Sequence, residues 1–198
     1  MKIEEYLKSL PSNIISGEDV QLPEHSYSKI FEFLNLNEKD VFYHLGCGSG
    51  EGIAIALEKF NVKKAVGVDN NKENIQRAKK LVKEKKIKNA EFLCKNVLDA
   101  KIDDATAILF WFTDEEIIEG MKKRFKNLRD GSIIATIWGP LPGCLPDKVD
   151  FPYIISKVPF KSAELKEQLL AIFGTKCIDF VSAWEYAERY TKAIASQN

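Results

Sequence analysis

The sequence predicts an α/β fold, doubly wound about a mostly parallel sheet with helices on both faces, and three features point to it. Apolar runs of strand length alternate with stretches of helical period, the signature of β-α-β units. The first five of these runs are apolar nearly throughout, as strands covered on both faces must be. The first run also breaks into a glycine-rich turn immediately before a helical pattern, a join that brings bare backbone and a helix start together.

Taken in order, strands are predicted near 41–45, 64–69, 90–94, 106–112 and 132–138, with one or two more among 153–160 and 177–181 completing a seven-stranded sheet. Helices are predicted near 2–9, 26–35, 51–60, 71–86, 114–127, 163–173 and 183–195. Capping boxes, Thr113 with Glu116 and Ser182 with Glu185, mark two of their starts. In the helix over 71–86, Ile75, Ala78 and Val82 form an inner stripe, while Lys79, Lys80, Lys83, Lys85 and Lys86 face outward as a solvated surface. Near the C-terminus Tyr186 and Tyr190, four apart, share a helix side, and Trp184 points elsewhere. A length of 198 residues fits one domain, 1–198, with a helical arm or lid over 1–36, a core over 37–140 and completion of the sheet by 141–198.

Composition narrows the functions. With 29 basic and 29 acidic side chains the formal charge is zero, so no global field draws the chain toward nucleic acid or an anionic membrane. A local basic patch stays open, but only Arg77, Arg124, Arg129 and Arg189 are arginines, which counts against an interface of bidentate phosphate contacts. Cys47, Cys94, Cys144 and Cys177 are widely spaced with no C-x-x-C pair, which points to reduced thiols in a cytoplasmic protein and to no metal site. The N-terminus carries acids and lacks a signal-like apolar region, and no run approaches the ~18 apolar residues of a spanning helix. A soluble protein is expected.

The glycine turn is the most informative motif. In Leu45-Gly46-Cys47-Gly48-Ser49-Gly50-Glu51-Gly52 the glycines let backbone approach a ligand, and the helix opening at Glu51 aims free amides and its positive dipole end at an anion. A dinucleotide fingerprint, G-x-G-x-x-G, requires glycine at position 51, which is glutamate; the G-x-G-x-G form is the one used to hold S-adenosyl-L-methionine. Nineteen positions beyond Gly50, the run Ala65-Val66-Gly67-Val68-Asp69 ends in an acid that can accept both ribose hydroxyls of a nucleoside. Its structural alternative is a helix cap, because Asp69 and Asn70 precede a helix with Glu73 in its first turn. After the third strand, Asn96 can accept from an exocyclic amine and the Val97 amide can reach a ring nitrogen; the alternative for Asn96 is plain turn chemistry.

The order LGCGSG, VGVDN, KNVLD and AILFWF resembles the class I S-adenosylmethionine-dependent methyltransferases, over residues 41 to about 138. Within that family the stretch FNVKKAVGVD and the helix after it are similar to short archaeal Dot1-like protein-lysine methyltransferases. The resemblance implies a Rossmann-like fold and the cofactor S-adenosyl-L-methionine. It places Gly46, Cys47, Gly48 and Gly50 against the methionine part, Asp69 at the ribose, and Asn96 with Val97 at the adenine, and Asn70 is a further cofactor-binding candidate. His44 departs from the pattern, since the family usually sets an acid two residues before the first glycine; imidazole accepts a hydrogen bond but brings no opposing charge. The alternative is a strand histidine bonded to nearby backbone.

Aromatic walls from Phe110 and Trp111, at the end of the fourth strand, would favour a sulfonium and keep water out. Core packing is the alternative for Phe110 and Phe112, which leaves Trp111 the better wall. The Asn/Asp-Pro-Pro-aromatic motif of nucleic-acid amino methylases is absent at this point. Three prolines and two glycines over 139–146 exclude regular structure and make a stiff loop at the same edge. Tyr6, Glu24 and His25 of the arm are further candidate contacts. No catalytic base stands out among Tyr43, His44, His25 and water. The expected function is transfer of a methyl group to a nucleophile, by resemblance a protein lysine amine. A small-molecule acceptor, or cofactor binding without transfer, is the alternative. The partner is accordingly a protein or small-molecule methyl acceptor, with no membrane and no strong nucleic-acid signal.

Overall fold

The computed structural model describes residues 22–174. The helices expected over 2–9 and 183–195, the strand over 177–181, the Ser182 capping box, and Tyr6, Cys177, Trp184, Tyr186 and Tyr190 lie outside the described residues. Backbone contacts divide the chain into two compact units, one holding residues 22–135 with 157–159, the other 136–156 with the described residues from 160 onward.

The elements run α1 (Glu24–Leu34), β1 (Val41–Leu45), α2 (Glu51–Lys59), β2 (Lys64–Asp69), α3 (Lys72–Glu84), β3 (Ala90–Cys94), a 3-10 turn (Val97–Asp99), β4 (Ala107–Phe110), α4 (Glu115–Phe125), β5 (Ile133–Ile137), β6 (Cys144–Leu145), β7 (Lys148–Asp150), β8 (Tyr153–Lys157), β9 (Lys161–Ser162) and α5 (Leu165–Phe173). The seven-stranded sheet has the order β3-β2-β1-β4-β5-β8-β7. Strands β1 to β5 pair in parallel, and β7 with β8 is an antiparallel hairpin. The mostly parallel seven-stranded α/β sheet expected from the sequence is therefore present.

In the first unit the strand register decides which side chains meet which helices. His44, Gly67 and Phe92 lie side by side across β1, β2 and β3, so they share one face. On that face Phe42 packs edge-on against Phe31 of α1 at 4.9 Å between ring centroids. Gly50 at the start of α2 abuts Ala78 of α3. Leu45 pairs with Phe110 on the opposite face, where Phe110 meets Phe125 of α4 at 5.2 Å. Helices α1, α2 and α3 thus cover one face and α4 the other.

The second unit corrects two expectations. The proline-rich loop is not wholly irregular, because Cys144–Leu145 pairs antiparallel with Lys161–Ser162. A strand also forms at Lys148–Asp150, a stretch with no apolar run to announce it, because the hairpin with Tyr153–Lys157 supplies its backbone partners. Gln168 of α5, 2% exposed, fastens the loop by donating to the carbonyls of Leu141 at 2.8 Å and Cys144 at 2.6 Å and accepting from Gly143 N–H at 3.2 Å. Trp138, at φ 72°, takes a left-handed backbone that bulky residues rarely adopt. Its N–H donates to Pro152 O at 2.8 Å and its ring stands edge-on to Phe151 at 5.2 Å.

Candidate cofactor site

Parallel pairing brings the ends of β1, β2, β3 and β4 to one edge, and β4 lies beside β1 although two strands intervene in sequence. That reversal of strand order opens the crevice where open α/β sheets bind ligands. The glycine turn enters it from β1. Gly46 and Cys47 N–H both donate to Val68 O, at 2.8 and 3.0 Å, which ties the turn to β2. Gly46, Gly48 and Gly50 all have positive φ, but they serve different ends. A Cβ on Gly50 would stand 2.7 Å from Ala78 Cβ, so this glycine lets α2 and α3 approach. A Cβ on Gly48 would meet nothing within 4 Å, so there the bare backbone faces open space.

Asp69 organises the seat. Its Oδ2 accepts from Gly48 N–H and its Oδ1 from Asn71 N–H, each at 2.8 Å. A carboxylate has about four acceptor positions, so one on each oxygen remains, the number a vicinal diol requires. The helix-cap alternative falls to the neighbour two residues on: Asn71 Oδ1 accepts from Glu73 and Asn74 N–H and caps α3. Asn70 is exposed beside Asp69, and its carbonyl accepts weakly from the Cys94 thiol at 3.8 Å. Cys47, 2% exposed, puts its thiol in the space left by Gly67, whose Cβ would stand 2.8 Å from Sγ. Burial, followed by the Asp69 charge, pushes that thiol's pKa up, so it is a protonated filler.

Asn96 caps the 3-10 turn by accepting Leu98 N–H on Oδ1 at 3.0 Å, so the turn role foreseen as the alternative is real. One lone pair on that oxygen and both amide protons remain for a ligand. Val97 buries its side chain, and its N–H donates to no other backbone group among the described residues.

The aromatic wall differs from the expected one. The fourth strand stops at Phe110 rather than 112, and Phe110, 2% exposed, is held in the core between Phe112 and Phe125. Phe112 instead turns onto the glycine turn, 3.1 Å from where a Gly46 Cβ would be. Trp111 is half-buried between them in sequence. Core packing, the alternative for Phe110 and Phe112, holds for Phe110, whereas Phe112, half-buried, packs both on Phe110 and on the glycine turn. Helix α4 begins one residue later than the Thr113 capping box implies, with Asp114 Oδ1 accepting from Ile117 N–H at 3.0 Å.

His44 lies 6% exposed, edge-on to Tyr27 of α1 at 5.7 Å and against Gly52 of α2. Its Nδ1 is buried without a hydrogen-bond partner, and desolvation lowers its pKa to about 4, so the ring is neutral near pH 7. The backbone partner that the sequence offered for this nitrogen is not made. Tyr43 turns to the other face and donates to Asp104 Oδ1 at 2.7 Å, in the loop before β4 at the far edge of the sheet, which removes it from the crevice. Glu24 of the arm is paired with Lys59 Nζ on the surface at 2.7 Å, and His25 is exposed. Glu51 Oε2 accepts from Ser49 Oγ at 2.8 Å within the turn itself. Among the described residues Cys47, Cys94 and Cys144 form no disulfide. Among the described residues no group of three or more His, Cys, Asp or Glu side chains is arranged to hold a metal ion, and no helix is long and apolar enough to cross a membrane.

Comparison with known proteins bears on the family and on the fold. Residues 36–129 match the family model described as a methyltransferase domain. A protein-lysine N-methyltransferase from Saccharolobus islandicus (strain REY15A) is 31% identical over 133 residues, covering 66% of this chain and 81% of that protein. Among solved structures, an RNA methyltransferase from Salinibacter ruber in complex with S-adenosyl-L-homocysteine superposes with a TM-score of 0.67 at 22% identity, covering 73% of this chain and 97% of that one. A geranyl diphosphate C-methyltransferase from Streptomyces coelicolor A3(2), bound to Mg2+, geranyl-S-thiolodiphosphate and S-adenosyl-L-homocysteine, has a TM-score of 0.51 at 19% identity, over 59% of this chain and 45% of that one. At such identities the structural likeness carries the fold.

Proposed function

Since the chain belongs to the class I S-adenosylmethionine-dependent methyltransferases, we propose that it methylates the side-chain amine of lysine in a protein, with the cofactor seated on the glycine turn and held by Asp69. The relative from Saccharolobus islandicus, similar over most of its own length, is the observation that carries the choice of acceptor.

Three features fit the cofactor. Gly48 exposes bare backbone, Asp69 keeps one acceptor position on each oxygen, and the first turn of α2 opens beside them with Gly50 as a cap that has no side chain. When bound, S-adenosyl-L-methionine supplies a methyl carbon activated by its sulfonium, for in-line displacement by a neutral amine. The residues of this chain act by holding and shielding. Gly46, Gly48 and the start of α2 take the carboxylate end. Asp69 takes the ribose hydroxyls, with Asn70 beside it, and Asn96 with Val97 takes the adenine edge. Phe112 and Trp111 exclude water and offer aromatic faces to a cation. Tyr43 is engaged with Asp104 and His44 is enclosed by Tyr27, Phe42 and Gly52, which leaves exposed His25 or solvent to take the proton. Preorganisation and desolvation therefore carry the acceleration.

Incubation of the purified chain with methyl-labelled cofactor and whole-cell extract tests the reading. Label on protein lysines is expected. Label confined to small molecules would replace the acceptor class, and cytoplasmic location is proposed on the same reading.

A further inference from the structure

The turn after β3 is shaped from behind by a residue that the proposed site does not use. Arg124 of α4 donates through Nη1 to the carbonyls of Val97 at 3.1 Å and Leu98 at 2.6 Å, and through Nη2 to that of Ala100. One guanidinium gathers three carbonyls of the four residues from 97 to 100. A rigid fork of donors suits that task better than a lysine ammonium. One helical turn earlier, Gly120 lets α4 come close, since a Cβ there would stand 2.7 Å from Leu98 Cδ2.

A trans peptide points its carbonyl and its amide in opposite directions. The amides turned away from Arg124 are thereby set as well. Leu98 N–H, on the peptide whose Val97 carbonyl Arg124 holds, donates to Asn96 Oδ1 at 3.0 Å. Asp99 N–H, on the next peptide, donates to Asn96 O at 3.0 Å. Asn96 therefore sits on the side of the turn away from the guanidinium, and the charge of Arg124 polarises the amides that fix it.

We propose that Arg124 is a positioning residue for base selectivity, fixing the edge made by Asn96 and Val97 so that it accepts a 6-aminopurine and rejects a 6-oxopurine. This rests on the assignment of adenine to Asn96 and Val97 above. Asn96 Oδ1 and Val97 N–H present an acceptor and a donor, the complement of adenine's amino proton and ring nitrogen, whereas hypoxanthine presents the reverse pair. Loosening the turn blurs that distinction without touching the ribose or methionine contacts.

The test is calorimetric binding of S-adenosylhomocysteine and S-inosylhomocysteine to the wild type, Arg124→Gln and Arg124→Lys, with melting temperatures alongside. The wild type is expected to prefer the adenosyl ligand by at least about tenfold. Arg124→Gln brings that preference close to one, chiefly by weakening the adenosyl ligand, and Arg124→Lys retains part of it. A merely structural role would lower both affinities together and leave their ratio unchanged. An unchanged ratio in the folded variants overturns the role of Arg124 while the adenine assignment stands. A ratio near one in the wild type overturns the adenine assignment, and the role of Arg124 with it. Arg124→Lys, which keeps the charge, decides the matter if Arg124→Gln does not fold.

Discussion

Burial of His44 makes the fold sensitive to mild acid, by an amount that follows from its surroundings. The ring is packed against Tyr27, Phe42 and Gly52 with Nδ1 unpartnered, and its pKa falls from 6.5 to about 4. Because the folded state binds the proton less readily than the unfolded one, the histidine is neutral in both above pH 6.5 and has no effect there. As the pH drops below 6.5 the unfolded chain gains a proton that the folded chain refuses, and stability falls until about pH 4. At 1.36 kcal/mol per pH unit the full loss is about 3 kcal/mol, of which about 2.5 kcal/mol is expressed by pH 4.5. His44→Leu removes the titrating ring and keeps an apolar side chain of similar size. Urea unfolding of both proteins between pH 7.5 and 4.5 isolates the contribution, since other groups titrate alike in each. The wild-type stability should drop by about 2.5 kcal/mol more than that of the variant over this range. Parallel curves would refute the reasoning, and a wild type that gains on the variant in acid would mean the ring is charged and paired.

The two glycines that bracket Ser49 should respond differently to alanine. Both substitutions place a Cβ in left-handed backbone, a strain of about 1–2 kcal/mol, but Gly50→Ala must also displace Ala78 and should lower the melting temperature further. Gly48→Ala meets no protein atom and should instead show its main effect in calorimetry, as weakened S-adenosylhomocysteine binding. Tyr43→Phe removes the bond to Asp104 at the far edge; about 1 kcal/mol of stability should be lost in urea unfolding, with the methyl-transfer rate unchanged. A rate loss in Tyr43→Phe with cofactor binding intact would return Tyr43 to the list of bases.

The glycine turn and the acid on which the proposed cofactor seat rests were legible in the sequence because they are local signals. Gly46, Gly48 and Gly50 need backbone freedom that other residues lack, and an acid ending a buried apolar strand, as Asp69 does, has few explanations. What sequence could not resolve was direction. Phe110 and Phe112 differ by two positions and should share a strand face, but β4 ends at Phe110, and the chain then turns Phe112 onto Gly46. The cap of α4 was missed for a similar reason: Thr113 and Asp114 are both good caps, and only the geometry of the first turn chooses Asp114. Lys148–Asp150 is a strand by virtue of its partner and carries no periodic signal of its own. The Arg124 clamp joins residues 24 to 27 apart, a distance over which spacing says nothing.

The proposed grip of Asp69 on the ribose is most directly measured by pairing a protein change with a ligand change. S-adenosylhomocysteine and its 2′,3′-dideoxy analogue are titrated into the wild type and Asp69→Ala. Loss of the carboxylate should weaken the natural ligand by at least about tenfold while leaving the dideoxy analogue within about twofold of its wild-type affinity. Equal weakening of both ligands would mean that Asp69 acts only by bracing Gly48 and Asn71, and no weakening of either would place the ribose elsewhere.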